Sequence, residues 1–294
     1  ISPRYVFNCS NVPKGYVNSQ GKSNPDPYFR RDGDISMSIQ PLAKDTTFTD
    51  IARWYVVAWK TVTDGPDSRT IATVTQSAKF EKAVREAKSV IRKAFAVPKE
   101  KLDSEHLGWW HKFYEQAAFL TFPDKDIERF YWFQYYKFAS TARPGKPVVD
   151  LQGVWPTCDT PWPAIWMNLN IQLTYSWLTK VNLGFLEQPL WDALWKNRDN
   201  LTRNVTDIPG QEGWTECRVL PRASGYDFHA PLNPALAQRN QYEVGNLTWT
   251  LFYYWQMCEA YGDDQQMKAR LFPLLKSAVN IFFRIRIQNP DGTY

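Results

Sequence analysis

The segment from Arg143 to Trp177 combines residue types that could hold a sugar. It contains four tryptophans, two glutamines and two alternating asparagines, Asn168 and Asn170, in a proline-rich stretch between two helix-like segments. Tryptophan rings can stack on the C–H face of a pyranose, and side-chain amides can bond its hydroxyls. At the mouth of a helical scaffold, these residues would handle carbohydrate. Elsewhere they would form an aromatic core.

The spacing of the two asparagines predicts where they lie. Side chains two residues apart face the same way in an extended segment, but point about 200° apart on a helix. We therefore expect Asn168 and Asn170 just before, or at, the first residue of a helix. Asparagine is also a common helix cap, so capping is the alternative role.

Composition excludes several function classes. The net charge is +5, but the basic residues are interspersed with acidic ones, which argues against a nucleic-acid partner. No run of about 18 apolar residues predicts a membrane span. The three histidines are never spaced i, i+4, and the four cysteines form no CxxC pair, so we predict no metal site and no cofactor.

The sequence leaves open both the oxidation state of the cysteines and the cellular location of the protein. The cysteines could be buried thiols or form disulfides, and they are Cys9, Cys158, Cys217 and Cys258. No signal peptide is visible, but four N-x-S/T sequons permit a secreted or periplasmic protein. The sequon asparagines are Asn8, Asn200, Asn204 and Asn246.

Hydrophobic periodicity changes once along the chain. Residues 1–72 are strand-like, with Ile35, Met37 and Ile39 alternating with polar residues. Residues 73–101 contain a helical stripe that ends before Pro98 and consists of Phe80, Ala83, Val84, Ala87, Val90, Ile91, Ala94 and Phe95.

Residues 102–294 have a helical pattern, with helices predicted after Ser104, over 123–142, after Asn170, and over 189–205, 244–261 and 265–287. The second of these opens at Pro123-Asp124, and the helix over 244–261 ends at Gly262-Asp263. Helical pairs of this size predict a toroid, of which this chain would supply about half.

Motifs in the helical part resemble glycoside hydrolase family 95. These are RPG at 143–145, LQGVW at 151–155, TPW at 160–162 and NLNIQLTY at 168–175. Their order is fairly specific, and the resemblance extends from about Leu102 to the end of the chain. It implies a mainly α fold: the remnant of an N-terminal β-sandwich over 1–72, a linker helix over 73–101, and about half of an (α/α)6 barrel over 102–294.

The resemblance also implies a chemistry and a division of roles. The family is known for inverting hydrolysis of α-L-fucosides and related L-sugars in oligosaccharides and polysaccharides. The positions of Asn168 and Asn170 are those that hold the attacking water. The general acid, a glutamate, and the aspartate that supports the base are expected beyond Tyr294. We therefore expect these 294 residues to need the remainder of their own chain and to be inactive alone.

Further residues are candidates for substrate binding. Trp166 stands where the fucosidase pattern has a sugar-contacting histidine, and Ser176 replaces a tryptophan, so specificity for fucose does not follow. The other candidates are aromatic, amide or charged residues on predicted loops, with His229 and Glu243 on the rim before the fifth barrel helix. They are Gln152, Trp155, Asp159, Trp162, His229 and Glu243.

Two other function classes fit the same sequence. A non-catalytic protein could bind glycans through the aromatic loop, or use its helices as an interaction array. A different α/α-toroid enzyme, such as a rhamnosidase, phosphorylase or lyase, is also compatible. The scarcity of histidine makes the lyase the weakest of these.

Overall fold

The computed structural model describes residues 24–42, 53–151, 165–225, 227–229 and 243–293. The chain divides into two compact units, Ile1–Glu115 and Gln116–Tyr294. The described part of the first unit contains an antiparallel sheet followed by helices. Helices dominate the described part of the second.

Within the described residues of the first unit, four strands form one sheet in sequence order. They are β1 (Tyr28–Asp32), β2 (Ile35–Pro41), β3 (Trp54–Asp64) and β4 (Asp67–Ser77). Each strand pairs antiparallel with the next, so the sheet is a meander. The turns at Gly33 and Gly65 have positive φ angles, which glycine adopts without strain. A second sheet facing this one is not among the described residues, so the β-sandwich stays a prediction.

Helix α1 (Phe80–Phe95) covers one face of the sheet. Ala83, Val84, Ala87 and Ile91 on the helix pack against Ile35, Met37, Ile39, Val56 and Ala58 on the strands. The alternation predicted for β2 is thus confirmed, because its apolar positions are the buried ones. Val90 was expected on the same helical stripe but is 44% exposed, since it lies at the edge of the buried face. Helix α2 (Lys99–Gln116) follows directly.

The second unit begins with α3 (Lys125–Thr141), where the sequence predicts a helix. The Asp124 side chain caps it by accepting hydrogen bonds from the N–H groups of Asp126 and Ile127. The remaining helices and short strands are β5 (Ile165–Trp166), α4 (Asn170–Tyr175), α5 (Gln188–Lys196), α6 (Arg198–Thr206), β6 (Ala223–Ser224), α7 (Gly245–Tyr261), α8 (Asp264–Gln266) and α9 (Phe272–Ile285).

Two helix predictions in this unit need correction. The helix expected over 189–205 is two helices, α5 and α6, which meet at Asn197. The Asn197 side chain bonds the carbonyl of Ala193 and so competes with continuation of the helix. The last predicted helix is interrupted by a π-helical turn, Met267–Leu271, between α8 and α9. The prediction for α7 is confirmed, and Gly262 ends that helix in the left-handed region.

A buried carboxyl group stands at the start of α5. Glu187 is 1% exposed, and its Oε1 accepts hydrogen bonds from the backbone N–H and the hydroxyl of Thr179, at 2.9 and 2.6 Å. Desolvation raises the pKa of Glu187 from its ordinary 4.5 to about 7, although the bonds from Thr179 act in the opposite direction. A buried Trp191–Tyr254 ring stack lies between α5 and α7, with ring centroids 4.5 Å apart.

We expect Ile91→Ala to destabilise the first unit far more than Val90→Ala. Ile91 is fully buried between α1 and the sheet, so truncation leaves a cavity and should cost about 2–4 kcal/mol. Val90 makes the matched control because it is exposed on the same turn. Chemical denaturation followed by circular dichroism measures both variants. Equal shifts of the unfolding midpoint would show that α1 does not bury this face.

We expect Glu187→Gln to flatten the dependence of stability on pH between 5 and 8. The pKa of Glu187 is raised by folding, so the folded state holds the proton more tightly than the unfolded state. Its stabilising contribution is complete below about pH 4.5 and is lost as pH rises through about 7. The loss is on the order of 3 kcal/mol.

Melting temperatures of the wild type and Glu187→Gln across this pH range test the effect. Glu128→Gln is the control, because hydrogen bonds from Phe122 and Lys125 lower the pKa of Glu128 and move its titration out of the window. A Glu187→Gln variant with the wild-type pH profile would show that this carboxyl group does not titrate there.

Candidate functional site

The two asparagines lie where the sequence predicts them. Asn168 is in the turn that precedes α4, and Asn170 is the first residue of that helix. Both side chains are half-buried, whereas Leu169 between them is 47% exposed. This alternation indicates that the asparagine side chains share one side of the turn and Leu169 points away from it.

Neither asparagine is used as a helix cap. Leu169 occupies the capping position of α4, and no side chain caps the helix. Across the part of the chain that the structure describes, neither the Asn168 nor the Asn170 side chain forms a hydrogen bond to another residue. Half-buried amides are usually paired with protein groups or with water. These two are therefore available to bind a small polar molecule.

A short strand pair holds the turn that carries the asparagines. Strand β5 pairs antiparallel with β6, matching Ile165 to Ser224 and Trp166 to Ala223. The pairing extends one step further, because the N–H of Met167 donates to the carbonyl of Arg222 at 2.8 Å. Ile165 and Met167 are buried, so the strand enters the core just before Asn168.

Gln172 attaches the turn to α7. This side chain is 1% exposed, and its Nε2 donates to the carbonyl of Met167 and, at 3.0 Å, to Oγ1 of Thr250. The Thr250 hydroxyl in turn donates to the carbonyl of Asn246 at 2.8 Å. Neither Gln172 nor Thr250 was among the residues predicted from the sequence to form the site. The position of Gln172 within the NLNIQLTY motif is the sequence feature that could have marked it as a site residue.

Glu243 is connected to this region rather than isolated on a rim. Its Oε1 lies 3.5 Å from Nε of Arg222, and its Oε2 accepts a hydrogen bond from Nδ2 of Asn246 at 3.1 Å. Arg222 is the residue whose carbonyl binds Met167. The structure therefore links Glu243 to the asparagine turn through one intervening residue.

His229 has a different environment from the one expected. It is buried, and its Nε2 lies 3.1 Å from Oδ2 of Asp207, just beyond the end of α6. Asn200 and Asn204 on α6 hold the same loop by bonding the carbonyls of Asp227 and Phe228. The expected position on an exposed rim is corrected here, because the imidazole is satisfied inside the protein. Nothing in this arrangement connects His229 to the asparagine turn.

The other sequence candidates divide into two groups. Trp166 is half-buried in β5, two residues before Asn168, and is thus brought to the asparagine turn. Gln152, Trp155, Asp159 and Trp162 lie outside the described residues.

Two sequon asparagines prove to be interior groups. Asn204 and Asn246 are 4% and 5% exposed, and their Nδ2 atoms donate to protein acceptors. Asn200 is half-buried and bonds the carbonyl of Asp227. The amide nitrogen that would carry a glycan is therefore engaged at each of these three positions.

The described ranges offer no metal site and no membrane-spanning helix. No cluster of three or more His, Cys, Asp and Glu residues there could hold a metal ion. None of the described helices is long and apolar enough to cross a membrane. Cys217 and Cys258 are buried free thiols, and burial raises the pKa of Cys258 to about 11, so its thiol stays protonated. Cys9 and Cys158 lie outside the described residues.

A cavity of about 530 Å³ lies beside α3 and the far end of α4. Aromatic side chains, including Phe130, Tyr131 and Trp177, line it together with Gln134 and Asp150. Neither asparagine of the turn is among the lining residues. The cavity is thus separate from the asparagine turn.

Comparison with known proteins identifies relatives of the second unit. Residues 112–294 match the model of the glycosyl hydrolase family 95 catalytic domain. Alpha-L-fucosidase 2 of Arabidopsis thaliana is 26% identical over 166 residues, which are 54% of this chain and 19% of the relative. The Aspergillus niger protein named probable alpha-fucosidase A is 26% identical over 166 residues, 54% of this chain and 20% of its own length.

The fold has a solved counterpart. A structure described as a kojibiose phosphorylase from human microbiome superimposes with a TM-score of 0.59 and 11% identity. The match covers 90% of this chain and 37% of that one, and it relates this fold to an α/α-toroid enzyme. The predicted mainly α class, with an N-terminal antiparallel sheet, is therefore confirmed. The matched segment is about a fifth of the length of the curated relatives. Because the family model matches more than half of its residues, the chain belongs to glycosyl hydrolase family 95.

Proposed function

We propose that the chain forms part of the active site of an inverting α-glycosidase, in which Asn168 and Asn170 hold the attacking water. The supporting observation is that two half-buried amides share one side of a turn and bond no other described residue. The family and the two α-fucosidase relatives support a glycosidase acting on α-linked sugars.

The proposed role suits the chemistry of an amide pair. Inversion needs a water on one face of the sugar and a proton donor on the other. The carboxyl groups that act as acid and base are typically about 6.5–9.5 Å apart, which leaves room for the water. An amide oxygen can accept a hydrogen bond from the water and so aim a lone pair of the water oxygen at the anomeric carbon. Two amides on one side of a rigid turn would fix the water in two directions, which lowers the entropic cost of attack.

Asparagine does not supply the base or the acid. Neither amide takes up a proton near neutral pH, so a carboxylate must accept the proton from the water and another group must protonate the leaving oxygen. The family resemblance assigns these roles to an aspartate and a glutamate that have no counterpart among these 294 residues. We therefore propose that the remainder of its own chain completes the site.

The proposed substrate is an oligosaccharide or polysaccharide with a terminal α-L-fucoside or α-L-galactoside. Trp166 would stack on the sugar where the fucosidase pattern has a histidine, which favours apolar contact over a hydrogen bond at that position. The remaining proposed contacts are Gln152, Trp155, Asp159 and Trp162. A secreted or periplasmic location is proposed because the substrates are complex glycans.

We expect Asn168→Ala and Asn170→Ala each to lower kcat by about 10²–10³-fold. That is the usual cost of removing one preorganised hydrogen-bonding group from an active site. Leu169→Ala is the matched control, because this side chain lies between the asparagines and points away from them. The assay measures hydrolysis of aryl α-L-fucoside and α-L-galactoside by a natural full-length chain that carries this sequence.

Proton NMR of the first product identifies the reaction. The expected product from an α-linked substrate is the free β-anomer. Retention of the α-configuration, or formation of a sugar phosphate when inorganic phosphate is present, would exclude inverting hydrolysis. Full activity in both asparagine variants would exclude the water-holding role.

A further inference from the structure

A closed ring of polar contacts begins and ends on Met167, immediately before Asn168. The N–H of Met167 donates to Arg222, and its carbonyl accepts from Gln172. Between these two points the contacts run from Arg222 to Glu243, from Glu243 to Asn246, from Asn246 to Thr250, and from Thr250 to Gln172. We name these six residues the Met167 ring: Met167, Gln172, Arg222, Glu243, Asn246 and Thr250.

Four of the ring residues are buried, whereas the side chains of Arg222 and Glu243 are partly exposed and meet as an ion pair. Met167, Gln172, Asn246 and Thr250 are each at most 5% exposed. Both hydrogens of the Gln172 amide are engaged, one with Met167 and one with Thr250. The Thr250 hydroxyl uses its only proton on Asn246, so it must accept from Gln172. These constraints fix the orientation of the Gln172 amide.

This orientation of the Gln172 amide carries an energetic cost, because it leaves one buried acceptor unpaired. Gln172 Oε1 is buried and has no hydrogen-bond partner among the described residues. A leucine or methionine at this position would remove the unpaired Oε1, but it would leave the buried carbonyl of Met167 without the donor that Gln172 supplies. The amide is therefore needed for its two donor contacts, and both of them hold the turn that carries the asparagines.

We propose that the Met167 ring positions the asparagine pair, with Gln172 and Thr250 as the positioning residues. This inference rests on the proposed function, because it assumes that the asparagines hold the attacking water. The ring ties the N–H of Met167 to Arg222, which precedes β6, and it ties the carbonyl of Met167 to α7 through Gln172 and Thr250. Asn168 is the next residue and Asn170 begins the helix that carries Gln172, so a shift of α7 would move both amides.

The same ring assigns a role to Glu243. Its carboxylate joins Arg222, which precedes β6, to Asn246 in the first turn of α7. Glu243 is thus a brace between the two elements that hold Met167. This role predicts an effect on kcat, whereas direct contact with substrate predicts an effect on KM.

Thr250→Val tests the ring, because valine keeps the shape of threonine and removes only the hydroxyl. We expect kcat to fall about tenfold or more with KM within about twofold of wild type, since a small displacement of a positioning group is costly. Thr250→Ser keeps the hydroxyl and should restore kcat. Thr248→Val is the matched control on the same helix, because Thr248 bonds only the carbonyl of Gly245. A natural full-length chain is used throughout.

The outcomes separate this inference from the proposed function. If the asparagine variants are inactive and folded Thr250→Val keeps the wild-type kcat, the ring does not position the pair and the proposed function stands. If the asparagine variants keep full activity, the proposed function fails and the role of the ring fails with it. A crystal structure of Thr250→Val should show the turn at 167–170 displaced, and an unmoved turn would overturn the inference.

Glu243→Gln decides the matter if Thr250→Val does not fold. This change keeps the shape, removes the charge that faces Arg222, and leaves one acceptor oxygen for the two donors that Glu243 serves. We expect kcat to fall about threefold or more with little change in KM. A higher KM with an unchanged kcat would assign Glu243 to the substrate and contradict its role as a brace.

Discussion

The backbone of Met167 is the fixed point of the second unit. Its N–H extends the β5–β6 pairing to Arg222, and its carbonyl is held by Gln172. A residue bonded on both sides and fully buried has little freedom to move. The turn that follows Met167 is therefore held in place. The half-buried side chains of Asn168 and Asn170 keep their positions without hydrogen bonds of their own to the described residues. A two-residue strand would not hold such a turn alone. The attachment to α7 through Thr250 supplies the missing support.

Asparagine is used in two opposite ways in this unit. Asn204 and Asn246 are interior braces, each donating from Nδ2 to acceptors on neighbouring segments. Asn168 and Asn170 have no such partner among the described residues, although they are only half-exposed. The residue type is the same, and only the surroundings distinguish the paired amides from the unpaired ones. His229 and Glu187 belong with the braces, because the ring of His229 contacts Asp207 and one carboxyl oxygen of Glu187 is held by Thr179 inside the fold.

Local patterns predicted the elements well where one physical signal dominated. The alternation of Ile35, Met37 and Ile39 predicted a half-buried strand, and the Asp124 cap and Gly262 marked helix ends correctly. The pattern failed at Asn197, where a side chain competes with the backbone for a carbonyl. It also failed for Val90, because apolar spacing indicates a helical face but not how widely the neighbouring sheet covers it.

The sequence by itself determined the order of sheet and helices, the family, and the location of the asparagine pair at the start of a helix. These features depend on residue spacing, which is a local property of the chain. Only the tertiary structure decided which polar groups are paired. Gln172 and Thr250 are 78 residues apart, and His229 meets Asp207 across a loop, so no local pattern reports either contact. Hydrogen-bond satisfaction depends on which segments the fold brings together. Only the tertiary structure therefore distinguishes the residues that brace the fold from the candidate catalytic residues.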